Sequence, residues 1–92
     1  LADWAQVVRY FRELDAASPA VVLDSLGVTT ENRPLVMAVI SSPRNIARLE
    51  RIRQAQARLA DPRGLTPAEE RALVAAQPTV VMITCNIHAT EI

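Results

Sequence analysis

Apolar residues recur along this 92-residue chain in two rhythms, one helical and one strand-like, and the switches between them divide it into six elements. Trp4, Val7, Val8, Phe11 and Leu14 fall on one face at the i, i+3, i+4, i+7 spacing, and Asp3 followed by Gln6 resembles a capping box. A helix over residues 3–17 is expected. Ser18-Pro19 ends it, because the residue before a proline is pushed out of the α region. Val21-Val22-Leu23 and the run Pro34 to Ile40 are β-rich and are separated by Gly27 to Arg33, which suits an antiparallel pair. Asn32 tolerates the left-handed conformation that a tight turn often needs, and Pro34 is acceptable only at the start of a strand or on an edge.

Ser42-Pro43 opens a second helix, since a hydroxyl can cap it and proline suits the first helical position. Ile46, Leu49, Ile52, Ala55 and Leu59 form its apolar stripe over residues 43–60, and Asp61-Pro62-Arg63-Gly64 closes it. Thr66-Pro67-Ala68-Glu69 is the strongest local signal: an N-cap threonine, a proline at N1 and a reciprocal glutamate at N3. A third helix over residues 66–77 should follow, and Pro78 should end it. Residues 79–87 are then apolar on both alternating faces, with Val81, Ile83, Cys85 and Ile87 on one and Val80 and Met82 on the other. That pattern predicts a central strand covered by helices on both sides.

The expected fold class is therefore α/β: helix, antiparallel strand pair, two helices, central strand. Three helices and three strands can hardly cover both faces and both edges of a central strand, so its neighbours are expected in a larger sheet. The first residue is Leu1 rather than Met and the chain stops abruptly after Ile92, which leads to the expectation that residues 1–92 are the incomplete N-terminal portion of one domain. Alone, such a piece should expose strand edges and an apolar patch through which it self-associates.

Composition narrows the function. Half of the residues are hydrophobic, enough for one small core. Ten basic residues, all arginine, balance ten acidic ones, which argues against a nucleic-acid partner or a charged membrane surface. Arg44, Arg48, Arg51 and Arg58 fall on one helical side, but Glu50 and polar neighbours dilute them into an ordinary solvated face. No apolar run approaches the roughly 18 to 20 residues of a membrane span, and no leader pattern opens the chain. The single cysteine, Cys85, rules out an internal disulfide and leaves the compartment open. It is expected in the core, as are Trp4 and Phe11.

The candidate chemistry sits at the end of the chain, in Asn86-Ile87-His88-Ala89-Thr90-Glu91. Residues three apart point to opposite sides of a strand but to the same side of a helical turn, so His88 and Glu91 converge only if the backbone turns after Ile87. A position beyond the carboxyl end of a strand is where open α/β sheets hold ligands. An imidazole and a carboxylate are ligand types that zinc accepts, and a catalytic zinc takes three protein ligands with a fourth position for water. His-x-x-Glu also arises often by chance, so the spacing alone does not decide. Asp24, Glu31, Glu69 and Glu70 show no pairing that suggests acid and base catalysis.

Three segments carry a family resemblance. Gly27 to Leu35, then Ile40-Ser41-Ser42-Pro43, then Asn86 to Glu91 are similar in order and spacing to the opening of zinc metallocarboxypeptidases of the carboxypeptidase A and B type. Carboxypeptidase A is an established example of a His₂Glu zinc site, and the resemblance implies that His88 and Glu91 are the first two zinc ligands. It further implies a third histidine ligand, a general-base glutamate and substrate-holding residues, none of which has a match within residues 1–92. It implies hydrolysis of C-terminal peptide bonds by the parent enzyme, with peptide or protein C-termini as substrates, weak or no zinc binding and no activity in this piece, and a secreted or otherwise extracytoplasmic setting, as is common in the family. One local departure is Asn32, where the family usually has glycine. Two other readings stand beside this one: a related zinc amidohydrolase that deacylates N-acyl amino acids, and a non-catalytic interaction module using helix 43–60.

Overall fold

A computed structural model of the chain describes residues 2–85. They form two compact units divided between Arg48 and Leu49. The first unit holds α1 (Trp4–Ala17), β1 (Val21–Val28), β2 (Pro34–Ile40) and α2 (Pro43–Ile46), and the second holds α3 (Leu49–Ala60) and α4 (Pro67–Ala76). The mixed α/β class expected from the sequence is the class observed.

α1 begins as its first residues dictate. The Asp3 carboxylate accepts from the Gln6 backbone N–H and the Gln6 side chain accepts from the Asp3 N–H, both at 2.8 Å, so two otherwise orphaned donors are satisfied. Val8 on the helix and Val21 on β1 are the buried apolar residues of this unit, where α1 packs against β1. Trp4 is half-buried, and its indole Nε1–H donates to the Pro34 carbonyl at 3.0 Å, tying the start of the helix to the start of β2. Phe11, also half-buried, meets the exposed Tyr10 edge-on with ring centroids 5.9 Å apart.

β1 and β2 pair antiparallel from Val21 opposite Ile40 to Val28 opposite Pro34. The expected first strand, Val21 to Leu23, is thus extended to Val28. Asp24 and Ser25 are weak strand formers, yet the facing Met37 and Val36 hold their backbone in the ladder, and a bulge between Ser25 and Gly27 absorbs one extra residue. The turn closes with the Thr29 N–H donating to the Arg33 carbonyl at 2.8 Å and the Asn32 N–H to the Thr29 carbonyl at 2.9 Å. Asn32 has φ 57°, the left-handed conformation expected of it, and is the non-glycine residue with positive φ among the described residues.

The single helix expected over residues 43–60 is two. α2 is capped by Ser42, whose hydroxyl accepts from the Asn45 N–H at 3.3 Å. The ladder then tightens: the Arg48 N–H reaches only back to the Asn45 carbonyl, at 3.1 Å. Asn45 sits at the junction, its side chain donating to the Ser41 hydroxyl at 3.0 Å and accepting from the Arg48 guanidinium at 3.0 and 3.3 Å. The apparent arginine stripe is split with it, since Arg44 lies on α2 and Arg51 and Arg58 on α3.

Among the described residues of the second unit Ile52 is the buried one, and α3 and α4 are in contact. Thr66 and Glu69 complete the expected capping box, the Thr66 hydroxyl accepting from the Glu69 N–H at 3.2 Å and the Glu69 carboxylate from the Thr66 N–H at 2.7 Å. On α3 the Glu50 carboxylate receives both Arg53 guanidinium N–H groups, at 2.7 and 2.8 Å, and the Gln54 amide at 3.0 Å. These bonds, Arg53 first, hold the carboxyl of Glu50 down to about 2 from its ordinary 4.5.

The central strand expected over residues 79–87 is the main correction. Residues 79–85 carry no strand assignment, and residues 86–87 lie outside the described residues. β1 and β2 form a two-stranded sheet that does not include this segment, so its backbone lacks the ladder that defines a strand. Val80, Val81, Met82 and Ile83 are 64%, 77%, 83% and 81% exposed, whereas the sequence places them in a core. Cys85, expected buried, is exposed as part of the same segment.

Three outcomes follow from these local bonds. Thr66→Ala removes the cap of α4 and should lower stability by about 1 kcal/mol in urea unfolding. Asn32→Ala should cost about 1 kcal/mol by the same measurement, through the left-handed strain of a Cβ without the asparagine side chain, while Asn32→Gly should cost nothing. The depressed carboxyl of Glu50 means that the ionised form is favoured in the fold. Its contribution is therefore present above about pH 4.5 and lost as pH falls toward 2. A carboxyl-carbon NMR titration should place the Glu50 midpoint near 2, and Arg53→Gln should move it back toward 4.5.

Candidate metal centre

The approach to the candidate ligands starts at the end of α4. Gln77 closes that helix with its N–H on the Leu73 carbonyl at 3.1 Å, and Pro78 prevents continuation. The Pro78 carbonyl accepts from the Gln56 side-chain amide of α3 at 3.3 Å, a contact within the second unit that fixes where the chain departs from α4. Thr79 to Cys85 then lead, exposed, to Asn86. His88 and Glu91 lie outside the described residues, so the turn that would bring them together has no geometry here.

Several carboxylates of the described residues are engaged in local bonds. Asp61 accepts both guanidinium N–H groups of Arg63, at 2.6 and 2.7 Å, and Glu31 pairs with Arg33 at 3.0 Å. The Arg63 bonds hold the Asp61 carboxyl below its usual range, and the backbone N–H and hydroxyl of Thr66 do the same for Glu69. The shifts at Glu50, Asp61 and Glu69 all run downward, away from the raised value that marks a general acid. Glu69 serves the helix cap that the sequence assigns to it.

Among the described residues no group of three or more histidine, cysteine, aspartate or glutamate side chains is placed to hold a metal ion. Cys85 belongs to no such group there. The two candidate ligands that the sequence offers are the imidazole of His88 and the carboxylate of Glu91. Both are donor types that zinc accepts, and two such ligands leave one protein ligand of a catalytic set to come from elsewhere. Among the described residues no functional side chain emerges that sequence reasoning had passed over.

The chain matches no curated protein and no solved structure. It does match a family model described as zinc carboxypeptidase, over residues 7–92. All three resembling segments fall in that range: the Gly27 to Leu35 turn, now seen with Asn32 in a conformation that glycine adopts freely, the Ile40 to Pro43 helix entry, and Asn86 to Glu91. With the match covering nearly its whole length, the chain belongs to the zinc carboxypeptidase family.

Proposed function

We propose that residues 1–92 are the N-terminal part of the catalytic domain of a zinc metallocarboxypeptidase, an enzyme that removes residues from peptide C-termini. The observation that carries this reading is the family match, which runs through His88 and Glu91. In it, His88 and Glu91 supply an imidazole nitrogen and a carboxylate oxygen to one zinc ion, and a third ligand and a general base come from residues beyond Ile92. When bound, zinc polarises the scissile carbonyl and lowers the pKa of a coordinated water. This chain's own contribution is positional: α3 and α4 hold the start of the segment that leads to the two donors. The substrate-holding residues and general base that the resemblance implies have no match within residues 1–92, so this piece should not hydrolyse peptides.

The complete domain should contain about one zinc per chain by elemental analysis, the stoichiometry of a His₂Glu catalytic site. His88→Ala should abolish that zinc while leaving the far-ultraviolet dichroism of the folded protein intact. Retention of zinc by the variant would sink the assignment. The 92-residue chain itself should bind zinc only weakly, and submicromolar affinity in titration calorimetry would contradict the two-ligand reading. Cleavage of peptides with a free C-terminal carboxylate is the expected activity of the complete domain. Turnover of N-acyl amino acids in place of peptides would move it to the amidohydrolase alternative.

A further inference from the structure

We draw no further inference here: the strongest candidate, the exposed apolar segment Thr79–Cys85 that follows α4, is a surface patch for which nothing in the structure shows what covers it.

Discussion

A strand exists only where another backbone takes its N–H and C=O groups, and the pairing of β1 with β2 is where that requirement is met among the described residues. The rest of the first unit hangs on it. Val21 is buried because β1 is held flat enough for α1 to lie on it, and Trp4 finds the Pro34 carbonyl because the ladder starts β2 at that residue. The same requirement explains the segment after α4. Its side chains are as strand-like as those of β2, but side chains alone do not make a strand, and without a partner backbone Thr79 to Cys85 are exposed.

What could be read from the sequence divides along this line. Features decided within a few residues were legible: both capping boxes, the Ser42 cap, the left-handed Asn32, and the helix ends at Ser18 and Pro78. The β2 run was legible as well, since it starts at a proline that fixes its first residue. The reach of β1 was not, because Asp24 to Val28 are held by facing residues more than by their own preference. The break between α2 and α3 was hidden for another reason. The apolar stripe runs across the junction, with Ile46 before it and Leu49 after it, and the tightened bond from the Arg48 N–H to the Asn45 carbonyl leaves no mark on that pattern.

The candidate site was legible as chemistry and not as geometry. His-x-x-Glu names donor types, and the family match covers it, but convergence of the two donors depends on what the preceding residues do. The described carboxylates offer no substitute centre. Glu50 and Asp61 face arginines and Glu69 faces a helix N-terminus, arrangements that favour the charged form and stabilise local structure at the surface. A catalytic acid needs the opposite environment, one that disfavours the charge.

Strand pairing and metal binding are therefore linked in this family member if His88 and Glu91 take zinc as proposed. The donors follow Cys85 by three and six residues, so a ladder along Thr79 to Cys85 would set the direction from which they emerge. Whatever pairs with that segment removes its conformational freedom in advance, and a zinc ion arriving afterwards no longer has to offset that ordering. By reciprocity, zinc held at His88 and Glu91 would favour the paired state by the same free energy. Sheet completion and metal affinity would then rise together.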